Sequence, residues 1–218
     1  MNKIYLVSVL LLLSGQLIKA DKIDSLLCDI HDKDQQVRQE LIQVSKNPKD
    51  QVLIKKALDK MQTTDSLNQN FIADLLDTKS WPNNLSDKAN AAIFLVIDHA
   101  KLGYQKKYFS QVQKKVEEGV LDKGSYYTLE DRMLMYEYKK QRYGTQTVSV
   151  KDSKGKIVSY VWPVENTEEI EQLRQEAGLP PMKQYLEMLK QTFGKDVVWD
   201  KKLTPEILQN KFGLKWKN

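Results

Sequence analysis

Residues 87–101 read DKANAAIFLVIDHAK, and the apolar residues of this stretch fall on nearly every side of the helix that it predicts. A helix without a polar face is stable only where neighbouring elements cover all of it. We therefore expect this segment to lie at the centre of a helical core. Ser86 precedes the segment, and a serine in that position is a favourable N-cap.

Two further helices are predicted on the amino-terminal side of this central segment. Apolar residues step by three and four positions through residues 22–46, which is the spacing of one helix face. A second helical region covers about residues 49–78, and a break near residues 63–65 is left open. The loop that follows contains Trp81, which we expect to cover an edge of the core.

Two more helices are predicted directly after the central one. The first covers about residues 104–118, and Gly119 follows its end. Ser125 or Thr128 is expected to start the second, which runs to about Lys140. Only nine glycines and six prolines occur in 218 residues, and this composition favours helix.

The period of the pattern changes after the fifth or sixth helix. Residues 145–150 and 157–161 alternate between apolar and polar on either side of a polar turn, which predicts a β-hairpin at about 145–162. Shorter helical patterns complete the chain at about 167–177, at about 181–193 and after Thr204. We therefore predict a mainly α fold, a single-domain helical bundle of residues 21–218 with a small β-hairpin.

The first twenty residues have the layout of a secretory signal peptide. Lys3 supplies a positive charge, residues 4–13 are apolar, and Ala20 provides a small residue at the expected cleavage site. The apolar run is too short for a membrane span, which needs about 20 residues. Cys28 does not follow a lipid-attachment pattern. We therefore expect an exported bacterial protein, periplasmic or secreted, with no membrane span.

Charge and cysteine content exclude several classes of site. The chain has a single cysteine, so no intramolecular disulfide can form. Its formal net charge is +5, but acidic residues are interspersed with the lysines, which favours solvated helix faces over a nucleic-acid surface. The two histidines have no closely spaced carboxylate or cysteine ligands, as a zinc site requires. We therefore expect no metal, no cofactor and no nucleic-acid partner, and leave the oligomeric state open.

Two polar residues interrupt apolar helix faces. Asp34 lies between Ile30 and Val37 where an aliphatic residue is expected, and a carboxylate is costly to bury without a partner. The simpler interpretation is a solvated pair with Arg38 at the rim of the apolar face, and the alternative is a functional carboxylate. His99 lies on the most apolar helix, on the same face as Ala92 and Val96, where it can be a hydrogen-bonded core histidine, a general base or a ligand.

Asp131 and Arg132 are adjacent charged residues on the predicted helix before the hairpin. Neighbouring side chains on a helix diverge by about 100°, so these two cannot bind each other bidentately. Each must find a partner on another element. Arg132 has the geometry to hold an anion by two parallel hydrogen bonds, and a structural ion pair is the equal alternative.

Residues 141–146, QRYGTQ, lie where the helical pattern changes to the strand pattern. Gly144 is expected either to follow a helix end or to allow another group to approach the backbone closely. Gln141 and Gln146 carry amides that are costly to bury and suited to binding amides or hydroxyl groups.

These polar residues belong to an ordered series of short motifs: DQQVR at 34–38, WP at 81–82, DHA at 98–100, LEDR at 129–132, QRYGTQ at 141–146 and GLP at 178–180. The series resembles a bacterial domain family of unknown function that is marked by DQxVR, WP, QHA, a T/E-D-R helix and QxYGTQ. The resemblance runs from about residue 24 to residue 190, with Asp98 where the family pattern often has glutamine. It brings no activity with it, but it implies that the marked polar residues act together.

We therefore expect these residues to meet in one buried polar pocket that takes an unknown small molecule, peptide or glycan. The expected catalytic residues are His99, as general acid or base, with Asp131 and Asp34. The expected substrate-binding residues are Gln35, Arg38, Arg132, Gln141, Tyr143, Gly144, Thr145 and Gln146. No serine or cysteine stands in a recognisable nucleophile motif, so hydrolysis through an activated water molecule or a simple transfer is the nearest reaction class. We therefore expect a small hydrolase or transferase. A non-catalytic binding module for an envelope peptide or glycan and a purely structural polar network are the alternatives.

Overall fold

A computed structural model describes the backbone of residues 3–47, 49–151 and 155–214, and the side chains from Lys22 onward except at residues 211 and 212. The predicted leader, residues 1–20, lies outside the residues whose side chains are described. Backbone contacts divide the chain into two compact units, one ending at His99 and one beginning at Ala100. The expected single domain therefore stays a prediction.

The first unit consists of three helices. They are α1 (Lys3–Ser45), α2 (Gln51–Lys79) and α3 (Asp87–Asp98). Both α2 and α3 pack against α1. The central segment of the sequence forms α3, and Ser86 caps it as predicted because the Ser86 hydroxyl accepts a hydrogen bond from the backbone N–H of Ala89 at 3.3 Å.

The residues of α3 are buried on most sides, as the apolar pattern predicts. Ile93 and Ile97 are fully buried, and Leu27 of α1 and Ile72 of α2 are buried with them in the same unit. Trp81 is also buried, and its indole N–H donates to the Asn90 side-chain oxygen at 2.9 Å. An indole needs such a partner when it leaves water, so Trp81 can be part of the core.

α2 is continuous through residues 63–65, where the sequence allowed a break. The Thr63 hydroxyl donates to the Asp59 carbonyl at 2.9 Å, and the Thr64 hydroxyl donates to the Lys60 carbonyl at 3.0 Å. Each threonine thus bonds the carbonyl four residues earlier, which is the way these residues are accommodated within a helix.

The second unit combines helices with a small sheet. Its elements are α4 (Leu102–Glu117), α5 (Lys123–Tyr136), β1 (Thr147–Lys151), β2 (Ile157–Val161), α6 (Ile170–Glu176), α7 (Met182–Phe193), β3 (Val197–Val198) and α8 (Pro205–Phe212). The predicted hairpin is confirmed: β1 and β2 are antiparallel, with Thr147 opposite Val161. β3 adds to β2 in parallel, a two-residue pairing that the sequence pattern does not predict.

The start and end of α5 differ from the prediction. Asp122, rather than Ser125 or Thr128, is the N-cap, because its carboxylate accepts from the backbone N–H of Ser125 at 2.9 Å. The helix ends at Tyr136 instead of near residue 140, and Tyr138 then adopts a left-handed conformation with φ of 57°.

Among the described residues, two apolar clusters contribute to the core of the second unit. The first contains Met135, Val148, Val150, Trp162, Leu203 and Leu208. The second contains Val161, Val164, Ile170 and Met182. The chain is thus mainly α, with the sheet after the fifth helix as expected. No helix in the described ranges is both long and apolar enough to cross a membrane.

The first prediction tests the packing of α1 through two adjacent leucines. Leu27 is 0 % exposed and Leu26 is 40 % exposed. We expect Leu27→Ala to lower the free energy of unfolding by about 2–5 kcal/mol, because it leaves a cavity. Leu26→Ala is the matched control and should change it by less than about 1 kcal/mol. Urea denaturation measures both variants, and equal losses would show that α1 does not pack as described.

Candidate functional site

Asp34 of α1 is buried and bonded on both carboxylate oxygens. Its side chain is 2 % exposed, and Oδ1 lies 3.1 Å from Nδ1 of His99 and 2.9 Å from Nη1 of Arg38. The Gln35 amide donates to Oδ2 at 2.8 Å. The pairing with Arg38 is confirmed, but the interpretation of a solvated rim pair is wrong. The burial is possible because α3 brings a third donor, the imidazole, to the carboxylate.

Arg38 joins two carboxylates rather than one. Nη1 also donates to the backbone carbonyl of Asp34 at 3.1 Å, and Nη2 donates to Oδ1 of Asp65 at 2.9 Å. The guanidinium therefore links α1 to α2 and orients Asp34. Substrate binding was the expected role of Arg38, but this geometry favours a positioning role. Asp65 was missed because it lies on a polar stretch of α2 without any motif.

The environment of Asp34 favours its ionised form. Burial is the largest single effect and acts to raise the pKa. The hydrogen bond and charge of His99, the charge of Arg38 and the amide of Gln35 act against burial, and together they hold the pKa of Asp34 below its usual range. An ionised carboxylate only accepts hydrogen bonds, so the proton in the Asp34–His99 contact belongs to Nδ1 of the imidazole.

The second ring nitrogen of His99 is available. The side chain is 19 % exposed, and the nearest described carboxylate oxygen to Nε2, Oδ2 of Asp98, is 4.0 Å away. That separation exceeds a hydrogen bond. Nε2 has no hydrogen-bond partner within the described residues, so its lone pair can accept a proton from a bound molecule. His31, by contrast, lies 3.3 Å from the neighbouring Asp32 on the surface of α1.

In the second unit, Asp131 holds the loop that contains the QRYGTQ motif. It is fully buried, and its carboxylate accepts from the backbone N–H groups of Arg142 at 2.7 Å, Tyr143 at 3.2 Å and Thr145 at 3.0 Å. The Thr145 hydroxyl donates to Oδ2 at 2.9 Å. Burial raises the pKa of Asp131, and these four donors act in the opposite direction. Asp131 was expected to find its partner on another element, and that partner is the backbone of this loop.

The carbonyl groups of the same loop face a buried cation and a phenol. Arg174 of α6 donates from Nη1 to the Tyr143 carbonyl at 2.6 Å and from Nε to the Pro180 carbonyl at 2.7 Å. The Tyr185 hydroxyl donates to the Thr145 carbonyl, and the Arg174 guanidinium lies over the Tyr185 ring. Neither Arg174 nor Tyr185 was predicted, because no local pattern distinguishes them.

The two glutamines of the motif are bonded to the backbone. Nε2 of Gln141 donates to the carbonyls of Gln146 at 3.1 Å and Trp162 at 2.6 Å, and its Oε1 accepts from the Gln146 N–H at 2.8 Å. Nε2 of Gln146 donates to the Thr128 carbonyl at 3.2 Å. These contacts fix the approach of the loop to β1, which makes Gln141 in particular a structural residue.

Gly144 is needed for close approach, one of its two predicted roles. Its φ is 68°, and a Cβ there would collide with the Met182 methyl group and lie 3.5 Å from Cγ2 of Val164. Because α5 already ends at Tyr136, the alternative role after a helix end is wrong.

Arg142 and Tyr143 carry the motif's more accessible side chains. Arg142 is exposed and pairs with Glu130 at 3.2 Å. The Tyr143 ring is half-buried against Tyr127, with centroids 4.3 Å apart. Burial raises the pKa of the Tyr143 phenol, so it stays protonated at neutral pH. Arg132 is half-buried on α5.

The structure thus brings the predicted residues together in two groups. Asp34, Gln35, Arg38 and His99 form one group in the first unit, and Asp131, Gln141, Tyr143, Gly144, Thr145 and Gln146 form another in the second unit. A single pocket that contains both groups stays a prediction. Across the described part of the chain, no group of three or more histidine, cysteine or acidic side chains is arranged to hold a metal ion.

A comparison with known protein families matches residues 21–198 to a family of unknown function, DUF6624. The match covers most of the chain, so the chain belongs to this family. No curated protein and no solved structure matches it.

The second prediction concerns Gly144 and uses Gly119 as its control. Both have positive φ, but a Cβ at Gly119 would meet nothing within 4 Å. Alanine at either position should cost about 1–2 kcal/mol for the backbone conformation. Gly144→Ala should cost a further 1–3 kcal/mol or so, because Met182 is buried and has little room to move. Thermal and urea unfolding compare the two variants, and equal losses would contradict the close contact.

The third prediction follows from the lowered pKa of Asp34. The folded-state pKa lies below the unfolded value of about 3.9, so the stabilisation from Asp34 is fully present above that value. It is lost as the pH falls through the folded-state pKa. We expect wild-type protein to be more stable than Asp34→Asn at neutral pH, and this difference to shrink below about pH 4.

Urea unfolding from pH 2 to 7 measures that difference. Asp29→Asn, at an exposed position on the same helix, is the control and should behave like wild type at neutral pH. A stability difference for Asp34→Asn that stays constant down to pH 2 would contradict the assignment.

Proposed function

We propose that His99 and Asp34 form the general acid–base centre of an exported hydrolase or transferase. Three features of His99 support this role. A buried carboxylate bonds its Nδ1 at 3.1 Å, its Nε2 has no hydrogen-bond partner within the described residues, and its side chain is partly exposed. The free Nε2 beside an oriented Nδ1 carries the proposal, because a general base needs an available lone pair of fixed direction.

The chemistry follows from the orientation of the ring. Nε2 accepts a proton from a water molecule or a substrate hydroxyl while that oxygen attacks an electrophilic carbon or phosphorus atom. The imidazolium then donates the same proton to the departing group as its bond to the electrophilic atom breaks. Asp34 remains ionised throughout, keeps the proton on Nδ1 and stabilises the imidazolium.

Water or a substrate hydroxyl is the favoured nucleophile. No serine, threonine or cysteine side chain is hydrogen-bonded to Nε2 in the part of the chain that the structure describes, so a side-chain nucleophile activated by His99 has no support. Hydrolysis, or transfer to a hydroxyl group, is the simplest reaction of such a base.

The remaining residues of the first group act through Asp34. Arg38 and Gln35 donate to the carboxylate, and Asp65 holds the other side of the guanidinium. These are positioning residues. Asp131, which was expected to be catalytic, has the corresponding role in the second unit, because all of its described bonds go to the QRYGTQ loop.

Export is the second part of the proposal. It rests on the positive residue, apolar run and small residue of residues 1–20, which are typical of a cleaved leader. A periplasmic or secreted location gives the enzyme access to envelope or extracellular substrates.

The fourth prediction tests His99 with His31 as the matched control. Wild-type protein should hydrolyse at least one class in a panel of chromogenic esters, phosphates, glycosides and anilides. His99→Gln and Asp34→Asn should each lower that rate by about 10²–10⁴-fold, which is the usual contribution of a general base. His31→Gln should retain full activity, because the described hydrogen bond of His31 goes to its neighbour Asp32 and not to the Asp34 group.

Diethyl pyrocarbonate gives a second measurement that needs no substrate. The reagent acylates an accessible, unprotonated imidazole nitrogen, so we expect mass spectrometry to find His99 modified at neutral pH. The proposal fails if the panel shows no turnover and His99 is unreactive while His31 is modified. It also fails if His99→Gln unfolds the protein and the folded wild type shows no activity, since His99 would then serve stability alone.

A further inference from the structure

A concave site in the second unit lies between α6, α7 and β3, separate from the loop that Asp131 holds. Its cavity measures about 350 Å³. Cavities of this size are at the lower end of those that bind small molecules, so the volume suits a ligand of one or two rings.

An aromatic and aliphatic floor lines the cavity. Leu186, Val197 and Trp199 all face it, and each packs against the apolar cluster that contains Met182. The indole N–H of Trp199 has no acceptor within the described residues, although Trp81 and Trp162 both have one. Trp199 is half-buried and its Nε1 is not enclosed, so this N–H is open to an acceptor from a ligand or from water. A ligand oxygen at this floor would supply it.

The rim provides both donors and acceptors. Lys183 lines the cavity and forms no ion pair or hydrogen bond within the described ranges, so its ammonium group is available. Glu171 accepts from the Met182 N–H through one oxygen at 3.2 Å, and Glu187 accepts from the Gln191 amide at 3.4 Å. Each carboxylate keeps acceptor capacity for a ligand.

The charges around the cavity nearly cancel. Lys190 and Asp196 neutralise each other at 3.0 Å. Lys183 and the two glutamates leave an excess of one negative charge, and Lys201 lies 5.1 Å from the centre of the Trp199 ring. A site with balanced charge gives no net attraction to a strongly charged ligand.

We propose that this cavity binds a neutral saccharide of one or two sugar rings. The sugar ring replaces the Lys201 ammonium over the indole of Trp199. Its hydroxyl groups accept from Lys183 and the indole N–H and donate to the carboxylates of Glu171 and Glu187. A sugar ring with its hydroxyl groups matches the aromatic floor, the mixed donors and acceptors, and the balanced charge together. The site does not depend on His99, so either proposal can fail without the other.

The fifth prediction tests this site with three disaccharides. Cellobiose, maltose and N,N′-diacetylchitobiose are each titrated into ¹⁵N-labelled protein while the indole N–H signal of Trp199 is followed. We expect at least one to shift this signal saturably. Lys183→Ala should weaken that binding at least about tenfold, which corresponds to 1.4 kcal/mol, and Trp199→Leu should abolish it.

Control variants distinguish binding in this cavity from weak binding elsewhere on the protein surface. Lys114→Ala removes a lysine that is 73 % exposed on α4 and should leave binding unchanged. Lys183→Ala changes an exposed side chain, so it tests the site even if Trp199→Leu proves unstable. Trp199→Phe assigns the indole signal. Absence of a saturable shift with all three sugars would overturn the proposal. A shift that persists in Lys183→Ala, or saturable binding of sodium hexanoate without any sugar, would also overturn it.

Discussion

A carboxylate that leaves water must be given hydrogen-bond donors, and this constraint fixes the local structure in both units of the chain. In the first unit, Asp34 draws its donors from Gln35 and Arg38 on its own helix and from His99 after α3. In the second unit, Asp131 draws them from the backbone of the loop that precedes β1. Each carboxylate therefore fixes the position of a segment that follows it later in the sequence.

The loop of the second unit lies between opposite charges. Its N–H groups point to Asp131, and its carbonyl groups accept from Arg174 and Tyr185. The N–H groups of Tyr143 and Thr145 thus face a buried anion, and the Tyr143 carbonyl faces a buried cation, so both charges have hydrogen-bond partners without direct contact. Such an arrangement leaves no space for a side chain at Gly144, because Met182 must approach to close the loop from the other side.

Local rules were sufficient for most of the fold. The all-round apolar pattern located α3, and alternation located the hairpin. Ser86 was recognised as an N-cap because a cap depends on one side chain and the next turn. For α5, Ser125 or Thr128 was predicted as the N-cap in place of Asp122, although an aspartate carboxylate accepts the same backbone hydrogen bond. β3 was not predicted because a strand of two residues is too short to show an alternating pattern.

The candidate site was only partly predictable for a related reason. Motif order identified Asp34, His99 and Asp131, but their partners depend on packing between segments far apart in sequence. Arg174 reaches a carbonyl 31 positions away, and Asp65 reaches an arginine 27 positions away. Burial of Asp34 could not be read from its helix alone, since α3 supplies the imidazole that makes burial tolerable. Gln141 was expected to bind a ligand, but its amide is hydrogen-bonded to the backbone of Gln146 and Trp162 at the start and end of the hairpin.

The charge of the His99 group explains why Arg38 is shared between two carboxylates. If Arg38 bonded Asp34 alone, its positive charge would cancel the carboxylate and weaken the stabilisation of an imidazolium. Asp65 offsets this, so Asp34, Asp65 and Arg38 together carry one negative charge beside the imidazole of His99. Two carboxylates thus share one guanidinium, so Arg38 joins α1 to α2 while Asp34 keeps an acceptor for the imidazole of His99.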